Sequence, residues 1–273
     1  MEKIDEVFEF YNSGAEKGRL EIGLGKIEFY RTKEILKKYI TKSNNKIYDV
    51  GGGIGVYSSW LSKMNNEVHL LELAPLAVEY AINNKSENNT FIAEVCDARK
   101  INRPDESADI VLLMGPLYHL QSIDDRLKVL HEAKRVLKKG GLLFSVGISK
   151  FSSTTWALST YGKDNNFLDE DIYNKMIENE LSSGIHIRPK EYQNFIAQAY
   201  FHTPLGLQKE IESIGFKTIN RYAIEGIIWF TPFLMEKWED KKSRERLLNI
   251  LRYTENEEEI MGMSPHFIVV SRK

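Results

Sequence analysis

Four glycines fall within the five positions 51–55, in the stretch "IYDVGGGIGVYSSWL" from Ile47 to Leu61. Glycine in that number weakens any regular element, so the backbone there must be bare for a reason. The usual reason is a ligand pressed against the main chain. Asp49 closes a run that reads as a strand, a helix is expected from Val56, and Gly51, Gly53 and Gly55 alternate between them. The dinucleotide fingerprint needs glycines two and then three positions apart. Counted from Gly51, its last place is Val56, so that match fails.

From Lys46 to Ser149 short apolar runs alternate with helical patterns. The strands are "KIYDV", "EVHLLEL", "NTFIAEV", "ADIVLLMG" and "GLLFSVGI", and helices fall near Val56–Lys63, Pro75–Asn84 and Ile123–Lys138. Near-continuous Val, Ile and Leu, rather than alternation, marks a parallel sheet covered on both faces. The expected division is an N-terminal helical segment over 1–45, a core over 46–150, a helical insertion over 151–203, and the rest of the sheet over 204–273. The insertion shows no clear strand and is rich in tyrosine and phenylalanine. After it come a helix in "PLGLQKEIESIGF", a strand near "FKTINRYAI", a charged helix around Glu236–Arg252 and a last strand, "HFIVVSRK". The acidic run "ENEEEI" reads as a solvated loop.

Several function classes are disfavoured by composition. The 273 residues carry a formal net charge of -2, which gives no broad attraction for nucleic acid or an anionic membrane. No apolar run is long enough to span a bilayer. The opening "MEKIDEVFEF" is acidic and lacks the form of a signal peptide. Cys96 is the single cysteine, which excludes an internal disulfide and fits a reducing compartment, so a cytoplasmic location is expected.

The D-x-G-x-G-x-G pattern from Asp49 to Gly55 resembles motif I of the class I methyltransferases that use S-adenosylmethionine (SAM). Three further segments resemble the same family in order: "HLLEL", "EVCDARKI" and "ADIVLLMGPLYHL" with the following "EAKRVLKKGGLLFSV". The resemblance implies a doubly wound, mostly parallel seven-stranded sheet with its final strand antiparallel, and a donor site at the strands' carboxyl ends. It implies that Gly51 and Gly53 let the backbone approach the donor's methionyl and ribose parts. Glu72, beside Leu73, stands about twenty residues beyond the loop, where an acid meets ribose hydroxyls in nucleotide folds. Asp97 would accept from the adenine amino group and the Ala98 amide would donate to a ring nitrogen. Met114 ends the fourth strand beside the same site. The "KKGG" pair reads as a glycine stop with lysines at the negative end of the preceding helix.

Other roles rest on residue chemistry. Tyr11, Arg19 and Arg31 lie in the segment that covers the donor in such enzymes. Arginine suits the donor's carboxylate, and Arg31 is the preferred partner. Tyr118 and His119 follow the fourth strand, where the methyl group should point. His119 is the better base, its ordinary pKa being about 6.5, and Tyr118 suits hydrogen bonding to an acceptor. No histidine pair has metal-ligand spacing, so no metal is expected. The expected reaction is methyl transfer from SAM to a small-molecule acceptor, with the insertion as acceptor lid. A nucleic-acid methyltransferase, a non-catalytic SAM-binding protein and a nicotinamide oxidoreductase are the rivals. Oligomeric state is left open.

Overall fold

A computed structural model describes residues 17–86, 89–192, 195–196 and 198–273. Seven strands form one sheet: β1 (Lys46–Val50), β2 (Glu67–Glu72), β3 (Ile92–Val95), β4 (Ala108–Leu113), β5 (Leu137–Ile148), β8 (Lys217–Ala223) and β9 (His266–Arg272). Their spatial order is β3-β2-β1-β4-β5-β9-β8. The first five run parallel, while β9 pairs antiparallel with both β5 and β8. This is the class I methyltransferase arrangement that the motifs implied. The strand order reverses between β1 and β4, and ligands of doubly wound sheets bind at the carboxyl ends beside such a switch point.

Alternate residues of the central strands serve opposite faces, and both faces are covered. Ile47, Leu70, Ile110, Leu112, Phe144, Ile268 and Val270 pack with Ile35 and Leu36 of helix Gly23–Tyr39 and Leu61 of helix Val56–Ser62. Tyr48, Val50, Val111, Leu113, Phe267 and Val269 pack on the other face with Val129 and Ala133 of helix Ile123–Val136 and Leu207 of helix Pro204–Ser213. Fully burying one such aliphatic side chain contributes about 1.5–3 kcal/mol. The continuous apolar runs therefore reflect double coverage.

The insertion departs from its expected form. It holds helices Ser152–Thr160 and Asp171–Ser183, and also two strands, β6 (Ile185–Ile187) and β7 (Gln198–Tyr200), paired antiparallel in a sheet of their own. Inside it Phe167, Tyr173, Tyr192 and Phe195 pack ring on ring, so these aromatics form a small core of their own.

Three local expectations also change. The charged helix is two, Leu234–Glu239 and Lys241–Thr254, divided where the Asp240 carboxylate caps the second by accepting from the Ser243 amide at 2.8 Å. Lys138 and Lys139 lie not at a helix end but in β5, because Leu137 already pairs with Ala108 of β4. The "ENEEEI" run contains a buried acid: Glu255 bonds to the guanidinium of Arg31 and to Lys38, and its tail enters a short helix, Glu258–Met261.

Candidate active site

The glycine loop leaves β1 through three left-handed residues, Gly51 at φ 68°, Gly53 at φ 58° and Gly55 at φ 77°. Gly51 is required twice over: its backbone strains any L side chain, and a Cβ there would lie 2.5 Å from the Pro116 ring. Part of the demand for bare backbone thus comes from the β4 loop packing on the β1 loop, in addition to any ligand.

Glu72 braces this loop from the end of β2. One carboxylate oxygen accepts the Gly53 amide and the other the Ala74 amide, both at 2.9 Å. Asp49 is fully buried, accepts from the Ser58 hydroxyl at 2.7 Å, and is pushed up to about 6 by burial, with the neighbouring Glu72 charge adding to the effect. It supports the loop from beneath and does not line the cavity described next.

A cavity of about 180 Å³ opens at the carboxyl ends of the strands beside the switch point. Gly51, Glu72, Leu73, Asp97, Ala98 and His119 all line it. Cys96, Arg99, Gly115, Gln121, Asp125 and Gln198 complete most of its wall. The structure therefore brings together six of the expected positions, spread from Gly51 to His119, around one space. Arg99, Gln121, Asp125 and Gln198 were not anticipated. Arg99 and Asp125 carried a signal, since Arg99 follows Asp97 by two residues and Asp125 opens the helix after the fourth strand. Gln121 and Gln198 carried none.

Residues expected elsewhere in the site stand apart. Gly53 points its amide at Glu72. Met114 is half-buried against the core, and its carbonyl accepts the Tyr118 hydroxyl at 2.8 Å. That bond turns the Tyr118 hydroxyl toward backbone, and its ring lies 4.7 Å from the His119 ring. Burial pulls His119 down to about 4, so the imidazole is neutral near pH 7 and a weak proton acceptor. The base role expected from its ordinary pKa is not supported by this environment. Tyr11 lies outside the described residues.

Arg31 does not reach the cavity. It is fully buried in ion pairs with Glu255 and Glu34, so its charge is consumed in joining helix Gly23–Tyr39 to the C-terminal region. Arg19 is better placed: its guanidinium pairs with Glu28 at 2.6 Å, stays partly exposed, and lies close enough for its charge to act on His119. His186 and His202 of the insertion are both buried and face Glu180 at 2.6 Å and Glu210 at 3.4 Å.

The insertion also does something unexpected. Gln198 of β7 lines the cavity, and the Gln121 amide donates to the His186 and Ala199 carbonyls at 3.0 and 3.4 Å. Arg126, buried beneath, donates to the Leu120 and Gln121 carbonyls while its guanidinium lies 3.8 Å from the centre of the Tyr200 ring. A segment expected to serve only the acceptor thus forms part of the wall of the same cavity as Glu72 and Asp97.

Among the described residues one group has ligand atoms close enough to hold a metal: Glu28, Glu225 and His266, within 4.8 Å of one another. They come from remote parts of the chain, which spacing rules do not detect. Their atoms are already engaged. Glu225 accepts from the His266 backbone amide at 2.9 Å and from its ring at 2.8 Å, and Glu28 is held by Arg19. Burial opposes charge on His266, but Glu225 and Glu28 outweigh it and push the imidazole up to about 9. A metal would have to displace this proton and these bonds.

Residues 48–145 match the methyltransferase domain family. The chain is 25% identical over 126 residues to the phosphoethanolamine N-methyltransferase of Plasmodium falciparum, a stretch spanning 46% of this chain and 47% of that protein. Among solved structures it is similar to a protein from Pyrococcus horikoshii, with a TM-score of 0.62, 14% identity, and coverage of 93% of this chain and 92% of that one. A SAM-dependent methyltransferase from Methanosarcina mazei gives a TM-score of 0.58 at 18% identity, covering 88% and 96% of the two chains. Residues 48–145 thus carry a methyltransferase domain, and the chain shares the class I fold of SAM-dependent methyltransferases.

Proposed function

We propose that the chain transfers the methyl group of SAM to a small-molecule acceptor by direct in-line displacement. The observation that carries this reading is the convergence of Gly51, Glu72, Leu73, Asp97 and Ala98 on one cavity at the switch point. The chemistry of the lining fits the donor. Glu72 is an acceptor-only carboxylate, and an oxygen that takes one amide still accepts a ribose hydroxyl. Asp97 offers a second carboxylate at the far end of the cavity, beside the Ala98 amide. Arg19, rather than Arg31, is the cation for the donor's carboxylate.

The sulfonium supplies a reactive methyl group and an excellent leaving group. The chain's residues then have to orient the partners and keep water out, and orientation alone contributes up to about 7–11 kcal/mol in favourable cases. With His119 neutral and weakly basic, the acceptor atom must arrive deprotonated or lose its proton to another group. Similarity to a phosphoethanolamine N-methyltransferase favours a nitrogen acceptor over a phenol. Near-neutral net charge supports a small molecule over nucleic acid. The single cysteine supports a reducing, cytoplasmic setting. Among the described residues no helix is long and apolar enough to cross a membrane.

Calorimetric titration tests the reading. SAM and S-adenosylhomocysteine should bind and NADH should not; NADH binding with no response to either SAM compound would overturn it. Turnover of radiolabelled methyl from SAM onto a panel of primary, secondary and tertiary amines then separates an enzyme from a SAM-binding regulator.

A further inference from the structure

The expected adenine-binding acid does not stand alone in the cavity wall. Both oxygens of Asp97 are engaged by Arg99: Nε lies 3.0 and 3.1 Å from them, Nη2 is 2.6 Å from Oδ2, and the Arg99 backbone amide is 2.9 Å from Oδ1. The remaining arm, Nη1, donates to Asp125 at 3.2 Å. Asp125 is held in turn by Lys128 at 2.8 Å. Asp97, Arg99 and Asp125 all line the cavity.

We infer that Arg99 is a positioning residue for the purine: it fixes the Asp97 carboxylate in one plane and in its ionised form, and so selects a 6-amino over a 6-oxo base. This rests on the donor reading proposed above. An ionised carboxylate only accepts hydrogen bonds, so it welcomes an exocyclic amino group and repels a carbonyl oxygen. A protonated carboxyl can donate, and then the discrimination collapses. The charge state of Asp97 is therefore the specificity, and the fork of a bidentate guanidinium sets both charge and orientation.

The environment shows why a clamp is needed. The charged and titratable groups around Asp97 are Arg99, Asp125 with Lys128, the Cys96 thiol and, along the same cavity, Glu72. Burial and the like charge of Asp125 both favour the protonated acid, and the Arg99 bonds more than offset them, holding Asp97 below the usual carboxylate range. Without the Arg99 side chain, the backbone amide at position 99 is left to oppose burial and the Asp125 charge.

Titration of S-adenosylhomocysteine and of S-inosylhomocysteine, its 6-oxo counterpart, between pH 5 and 8 tests this on the wild type and on Arg99→Gln, Arg99→Lys and Asp125→Asn. The wild type should prefer the adenosyl compound throughout. Arg99→Gln should reduce that preference roughly tenfold or more, the scale of a lost bond to a charged group. Its preference should also fade on acidification at a higher pH than in the wild type. Arg99→Lys should retain the wild-type pH profile, because the charge remains, with only partial preference. Should Arg99→Gln not fold, Asp125→Asn carries the test. Removing the like charge should carry the preference to lower pH than in the wild type, while loosening Arg99 lowers its size at neutral pH by a smaller factor. Unchanged preference and profile in the folded variants would overturn the clamp alone. Failure of the wild type to bind S-adenosylhomocysteine would overturn the donor reading, and this inference with it.

Discussion

Glu72 and Gly53, nineteen residues apart, are joined by a 2.9 Å bond from the Gly53 amide to the Glu72 carboxylate. The acid that is proposed to hold the ribose thus also holds the glycine loop in shape. Glu72→Gln should do more than weaken a ligand contact. One amide would face an NH2 group, and an unsatisfied buried donor costs about 1–3 kcal/mol. Urea unfolding should show that loss, and calorimetry a weaker affinity for S-adenosylhomocysteine. Wild-type values in both would remove Glu72 from the site.

The pH dependence of stability should carry the mark of His266. Its folded pKa of about 9 exceeds the ordinary value of 6.5. The stabilisation from binding its proton is complete below about pH 6.5 and disappears as pH rises through 9. Thermal melts should decline across that window, and His266→Gln should flatten the decline. A wild-type melting temperature constant from pH 6.5 to 9.5 would mean that the imidazole is not held charged.

Arg31 should matter to folding and not to the donor. Glu255→Gln leaves the buried Arg31 guanidinium with Glu34 alone, a loss that should approach but not exceed the about 3–5 kcal/mol of a fully unpaired buried charge. The affinity for S-adenosylhomocysteine, measured at low temperature where the variant stays folded, should be close to wild type. A selective loss of affinity without loss of stability would return Arg31 to the donor site.

His119→Ala should slow methyl transfer by less than about 10², the lower bound for a lost general base. The expected cause is disturbed cavity packing, with no rate inflection near pH 6.5 assignable to this residue. A loss of 10²–10⁴ at unchanged donor affinity would restore the base role.

The sheet was legible because double coverage writes itself into strands as unbroken Val, Ile and Leu. The cavity-lining positions Gly51, Glu72 and Asp97 were legible because each follows or closes a strand. The rest depended on distance along the chain. Arg31 looked available because its partner Glu255 stands 224 residues away, inside an acidic run that reads as solvent-facing. His119 looked poised because an ordinary pKa is all that residue type conveys, while burial decides the real one. β6 and β7, at three residues each, are too short for periodicity to register.

The hydrogen bonds from Gln121 to the carbonyls of His186 and Ala199 have a consequence for how such a chain can change. Acceptor preference in a modular enzyme could drift by exchanging the inserted segment while the sheet keeps the cosubstrate. Here the insertion contributes Gln198 to the cavity and is fastened to the opposite rim by Gln121. A transplant of residues 151–203 from another scaffold would import a foreign wall, so under the proposed function a change in acceptor recognition would also change the donor's surroundings.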